Sequence, residues 1–168
     1  MNIPTEAYWR SESWNQETPY AYDHFFGKSL DDAFALFVEN ALYYQEDMLF
    51  MPLRCFRYYV LAYTNYLLSA SSRNDCDGAN CFFGLIECRK DDIRASSELV
   101  IGEIARALEK LRDGQDWYHA PEEIYGSFKN QALSCLKLIG AELGASPNGG
   151  PAERFGSSGV SGGPPSVS

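Results

Sequence analysis

The chain has 168 residues, 45% hydrophobic and 14% aromatic, so it carries enough core-forming side chains to fold unaided and too many to be mostly disordered. Fourteen Lys+Arg stand against 23 Asp+Glu, a net charge of −9, which argues against a nucleic-acid partner whose backbone would need a surplus of cations. The start, Met1-Asn2-Ile3-Pro4-Thr5-Glu6, has no basic or long apolar region and no later stretch has the ~18 apolar residues of a span, so a cytoplasmic chain without membrane contact is expected.

Residues 1–28 carry Tyr8, Trp9, Trp14, Tyr20, Tyr22, Phe25 and Phe26 with no helical or strand period. They predict an extended aromatic segment wrapped over the domain, its rings plugging a groove. Ser29 then reads as an N-cap, with Asp31 and Asp32 in the first turn where the helix dipole favours anions. Apolar positions at 30, 34, 37, 38, 41 and 48 carry that helix to Phe50.

Pro52 breaks the pattern and suits the first position of a second helix, reaching about Ser71. Leu53, Phe56, Val60, Tyr63 and Leu67 form one face, while Cys55, Tyr58, Tyr59, Leu61, Ala62, Tyr66 and Leu68 fill most of the others. A helix apolar nearly all round, yet too short and tyrosine-rich for a membrane, is a central core helix. Arg57 shares a stripe with Leu53, Val60 and Thr64, so its guanidinium needs an internal partner. Glu39, Glu46 and Asp47 on the preceding helix are the expected carboxylates, with Arg54 nearer the rim of the same ion-pairing cluster. The run Met51-Pro52-Leu53-Arg54-Cys55-Phe56-Arg57-Tyr58-Tyr59-Val60-Leu61-Ala62-Tyr63 resembles a Pro-x-x-x-Phe-Arg-Tyr-Tyr-Leu-Pro-Ala-Tyr helix of small uncharacterised bacterial α-helical families. Leu61 stands where that pattern has its second Pro. The resemblance implies a bacterial, cytoplasmic helical protein and no site.

Ser71 to Asn80 is rich in turn-formers. Within it Asp75-x-Asp77-Gly78 looks like the middle of an EF-hand loop, but Arg73 and Gly84 occupy the first and twelfth ligand positions. A turn is expected instead, with Asp77 or Asn80 capping the next helix. Apolar register at 82, 86, 93, 100, 104, 108 and 111 runs through Arg89-Lys90-Asp91-Asp92, as one long helix or two in line with Asp91 or Asp92 capping the second, to a stop at Gly114. Pro121-Glu122-Glu123 opens a fourth helix, with apolar positions at 124, 128, 132, 135, 136, 139 and 143 before Gly144. From Gly144 to Ser168, 17 of 25 residues are Gly, Ser or Pro, which predicts a disordered tail.

No strand-like alternation meets a hairpin turn, so the expected fold is all-α. A four-helix antiparallel bundle would occupy 29–143, between the wrap over 1–28 and the tail over 144–168. Cys55 and Cys135 sit among apolar neighbours as core residues, and Cys76, Cys81 and Cys88 lack the paired spacing of structural zinc. Neither His24 nor His119 follows a Glu by three residues, as a di-iron bundle requires. No metal or cofactor is expected.

Arg112-Asp113-Gly114-Gln115-Asp116-Trp117-Tyr118-His119 resembles the R-x4–6-H motif of HEPN-type ribonucleases, which are small helical bundles. The resemblance implies metal-independent cleavage, with His119 moving the ribose 2′-hydroxyl proton and Arg112 stabilising phosphate charge. Composition favours the plainer alternative of a helix-terminal Arg and a loop His on an acidic chain. The leading expectation is therefore a non-catalytic acidic protein-binding module, immunity- or antitoxin-like, for a basic protein partner. The ribonuclease is the second.

Overall fold

The computed structural model describes residues 1–10 and 15–140, and all regular structure among them is helical. In chain order come α1 (Glu6–Trp9), α2 (Thr18–Phe25), α3 (Leu30–Phe50), α4 (Leu53–Leu68), a 3-10 turn (Ala70–Ser72), α5 (Cys76–Cys88), α6 (Lys90–Arg94), α7 (Glu98–Asp113), α8 (Glu122–Tyr125) and α9 (Phe128–Ile139). No helix among the described residues is long and apolar enough to cross a membrane. The expected tail at 144–168, Trp14 of the expected wrap and the helix stop at Gly144 lie outside the described residues.

The cap at Ser29 forms as its sequence implies. Ser29 Oγ accepts from the Asp32 N–H at 3.1 Å, and the Asp32 carboxylate accepts from the Ser29 N–H at 3.0 Å, so two orphan donors are satisfied reciprocally. Ser29 Oγ also donates to the Asp32 carboxylate at 2.6 Å, and this hydrogen bond, with that from the Ser29 N–H, holds the carboxyl below its ordinary value. The helix that follows is interrupted, however, at Asn40, whose backbone is extended (φ −162°, ψ 85°). Its side chain accepts from the Tyr43 N–H at 3.0 Å and so acts as an internal N-cap competing with the helical ladder. The core row of α3 is Ala33, Phe37, Ala41, Gln45 and Met48, at near-fourfold spacing. Val38, expected inside, lies one step round from that row and faces out.

Helix α4 is the central element. It packs against α3 on one flank and α7 on the other, and eleven of its sixteen residues are buried. Its tyrosine hydroxyls end on internal acceptors: Tyr59 donates to the Phe25 carbonyl, Tyr63 to the Gly78 carbonyl, and Tyr66 to Asp75 Oδ2 at 2.7 Å. A polar tip satisfied in this way lets a ring bury its full apolar area. Burial pushes all three phenols above their ordinary values.

The helix contacts close a circuit from α3 to α4, α7, α9, α5 and back to α3. That circuit has five helices of twelve or more residues rather than the four expected, because the third periodic segment is cut twice. Arg89 (φ −107°, ψ 15°) leaves helical geometry between α5 and α6, and Ser97, not Asp91 or Asp92, holds the N-cap position of α7 in extended conformation, with no side-chain cap hydrogen bond. The apolar register survives both cuts, since Phe82, Ile86, Ile93, Val100, Ile104, Leu108 and Leu111 are all buried. At the start of α5 the cap is Asp75, not Asp77 or Asn80, its carboxylate accepting from the Gly78 N–H at 3.0 Å. Gly78 also lets α5 approach α3 closely: an added Cβ would stand 2.8 Å from the Ala41 Cβ.

The fourth segment also differs from expectation. Gly126 (φ +71°) adopts left-handed backbone, which ends α8 after one turn, and Ser127 caps α9 afresh. Ile124, expected in the core row, is therefore exposed. Gly140 (φ +72°) closes α9, its N–H directed at the Leu136 and Lys137 carbonyls. The N-terminal stretch, expected extended, contains α1 and α2; Pro19 in the first turn and Asn15 Oδ1, which accepts from the Glu17 and Thr18 N–H groups, start the latter. Trp9 is fully buried, edge-on to Tyr22 (5.6 Å) and tilted against Tyr59 (6.1 Å).

Candidate functional site

Arg112 lies in the last turn of α7, and its fork closes on the adjacent carboxylate: Nε to Asp113 Oδ1 at 2.8 Å, Nη2 to Asp113 Oδ2 at 2.6 Å. That pairing raises the guanidinium above its ordinary value and lowers Asp113 below its own. His119 is exposed in the loop beyond, with left-handed backbone (φ +56°), and donates its N–H to the Asp116 carbonyl at 3.1 Å. Gln115 braces this loop, its side-chain amide donating to the Ala120 and Gly126 carbonyls while its oxygen accepts from the Phe128 N–H. His119 shares a hollow of about 380 Å³ with Gln115, Asp116, Ala120, Pro121 and Glu122. A phosphate entering there meets two carboxylates and no free guanidinium.

The expected ion-pairing cluster does not assemble. Arg57 Nε donates to Ser96 Oγ at 2.9 Å and its Nη2 to the Ala95 carbonyl, because the stripe that carries it faces the α6–α7 junction instead of α3. Arg54 is exposed, its guanidinium 4.6 Å from the centre of the Tyr8 ring. Glu39 and Glu46 stand exposed on the outer side of α3. Asp47 turns inward to a partner the sequence did not suggest: His24 Nδ1 of α2, at 2.8 Å. Edge contacts from Tyr43 (5.5 Å) and Tyr44 (5.4 Å) fix the imidazole. Burial raises the Asp47 carboxyl above its ordinary value, and the hydrogen bond to His24 acts the other way. The only sequence signal for this pair was Asp47 itself, one position from the apolar row of α3.

The buried guanidinium belongs to Arg89, 9% exposed. Its Nη1 reaches the Met48 (3.2 Å), Leu49 (2.9 Å) and Met51 (2.9 Å) carbonyls at the end of α3. Its Nε lies 2.7 Å from Asp92, and its plane rests 4.3 Å from the Phe56 ring centre. Burial pushes this guanidinium down from its ordinary value and Asp92 pulls it back up.

All five cysteines are free thiols, and no three His, Cys, Asp or Glu side chains converge as a metal-binding group among the described residues. Burial pushes the Cys55 and Cys135 thiols up to about 12, the environment of inert core residues. A hollow of about 440 Å³ between α3, α5 and α9 is lined by Cys81, Cys88, Gln45 and Gln131 among others. Burial raises Cys81 too, away from the thiolate that nucleophilic chemistry needs.

Charge and exposure converge elsewhere, on the flank made by α2 and α3. Between Asn15 and Leu53 the chain has seven carboxylates (Glu17, Asp23, Asp31, Asp32, Glu39, Glu46, Asp47) against Lys28, a balance of −6 within the total of −9. All but Asp47 are exposed. Among them stand large apolar side chains in water: Val38 at 47%, Leu42 at 46%, Tyr43 at 52% and Tyr20 at 63% exposed. Comparison with protein-family models, with curated proteins and with solved structures finds no match to this chain.

Proposed function

We propose that the chain is a non-catalytic acidic protein-binding module of the immunity or antitoxin type, acting in the cytoplasm on a basic protein. The supporting observation is the outer face of α3, where Glu39 and Glu46 flank exposed Val38, Leu42 and Tyr43 on a helix with no lysine or arginine. Apolar and tyrosine anchors inside a rim of one charge sign are the anatomy of a protein interface, and the charge steers a basic partner toward it. In this reading residues 29–143 are the antiparallel helical body and residues 1–28 wrap it through Trp9.

Capture on the immobilised full chain, with cross-link mapping, tests the proposal. The expected result is a basic protein cross-linked to α2 and α3, lost when Glu39→Lys and Glu46→Lys are combined. A partner that binds the charge-reversed chain equally well, or cross-links elsewhere, overturns it. The non-catalytic part is tested with single-stranded RNA in a chelator. No cleavage is expected; cleavage that disappears in His119→Ala reverses the assignment.

A further inference from the structure

We infer that the α2–α3 flank is a docking site for a cationic amphipathic helix: a segment of the partner with an apolar ridge bordered by Lys and Arg. The inference rests on the protein-binding role proposed above and adds the chemistry of what binds.

Three contacts place α2 along the second half of α3 in opposite direction. Thr18 Oγ1 donates to the Phe50 carbonyl (3.1 Å), His24 meets Asp47 (2.8 Å), and Phe25 tilts on Phe37 (6.0 Å). Tyr20 lies one helical turn before His24 and so on the same side of α2. It therefore borders the seam beside Tyr43 and Phe50, while Leu42 lies about 100° further round α3, away from α2. From 43 to 50, beyond the interruption at Asn40, this row spans roughly 10 Å of helix axis, about two turns. Of the common modes of peptide recognition, strand addition needs a sheet edge, and no strand exists among the described residues. A helix laid along two packed helices can set its ridge into their seam.

The rim decides the sign of the occupant. Glu17 and Asp23 line the α2 side, Glu39 and Glu46 the α3 side, all exposed. A second copy of the chain would bring the same carboxylates face to face. Residues 141–168 hold Glu142, Glu153 and a single cation, Arg154, so the chain's own end offers no cationic ridge. A basic helix from another protein is complementary in both respects.

The test uses the full chain and a synthetic peptide of ~18 residues, about five turns, with Leu at helical spacing flanked by Lys, beside a scrambled peptide of identical composition. Titration calorimetry and amide chemical-shift mapping read the outcome. Saturable binding is expected, with shifts in residues 15–28 and 38–50 and a scrambled peptide about tenfold weaker. Tyr43→Lys and, independently, Tyr20→Ala should each weaken binding about tenfold or more with unchanged helical content by circular dichroism. Equal binding of the scrambled peptide, shifts on other helices, or no saturation overturns the inference. If those occur while the native partner is still lost on charge reversal at Glu39 and Glu46, the helix is wrong and the module stands; loss of neither means both fail.

Discussion

Two regions treat charge in opposite ways. Around α6, arginines are turned onto the chain's own helix ends: Arg89 onto the last carbonyls of α3, Arg94 Nε onto the Leu138 carbonyl of α9 (2.6 Å), and Arg57 onto the Ala95 carbonyl that follows α6. Those carbonyls have no intrahelical donors and carry the negative end of the dipole, so cations there are doubly favoured. Along α2 and α3 the exposed carboxylates have Lys28 as the sole lysine or arginine among them. The acidity of the surface is therefore local, and it arises in part because cations elsewhere are engaged in holding helix ends together.

The sharpest way to break this contrast is to remove the most buried of those cations. Arg89→Leu strands three α3 carbonyls and leaves Asp92 without its guanidinium. A loss of about 3–5 kcal/mol is expected in denaturant melts, the range for stranding one member of a buried charged set. Lys at 89 should recover only part, since an ammonium has no planar fork to serve α3 and Asp92 together or to lie flat on Phe56. A melt within 1 kcal/mol of wild type, about the worth of one ordinary hydrogen bond, would show that α3 does not depend on this cap.

Arg57→Leu comes next, at about 1.5–3 kcal/mol, because it removes charge-assisted hydrogen bonds from a half-buried position without stranding a carboxylate. A loss equal to that of Arg89→Leu would erase the distinction between them. The pair also marks how far the sequence can be read. Periodicity located the core, and α4 was legible as its centre because nearly every face of it is apolar. Arg57 and Arg89 are not separable on that signal: both interrupt an apolar stripe, and what decides their burial is which neighbouring helix each stripe meets. The cuts at Asn40 and Gly126 were missed for a related reason, and the one at Arg89 stays open in the sequence between one long helix and two in line. Each is one residue long, and the hydrophobic register passes straight through it. Asn40 was nevertheless readable as a cap, with its acceptor three residues ahead of the Tyr43 N–H. His24 and Asp47 are 23 residues apart and meet only through the packing of α2 on α3, so no local pattern joins them.

That pair gives a smaller, pH-dependent effect. Burial raises the folded-state carboxyl of Asp47 above the ordinary value of 3.8, so the folded chain holds that proton more tightly than the unfolded chain does. The stability this confers is complete below 3.8 and is lost as pH rises through the folded value. Asp47→Asn stays neutral throughout and removes the dependence. Wild type should therefore lose stability relative to Asp47→Asn as pH is raised from about 3 to about 6, measured by denaturant midpoints. The reverse slope would mean that ion pairing with His24 outweighs burial at this site.

The smallest effect is expected on the outer face of α3, where the other region of the comparison lies. Val38 and Leu42 keep nearly half their surface in water, and each is one step off the row that packs on α4 and α5. Truncating either to Ala removes little buried area and substitutes the best helix former, so the two contributions oppose each other. Stability should stay within about 0.5 kcal/mol of wild type for Val38→Ala and for Leu42→Ala. A loss above 1 kcal/mol, more than surface substitutions ordinarily cost, would place these side chains in the core and remove them from any docking surface. The neutral result carries the functional argument, because a helix under no structural demand to present Val38, Leu42 and Tyr43 to water presents them all the same, inside a border of carboxylates.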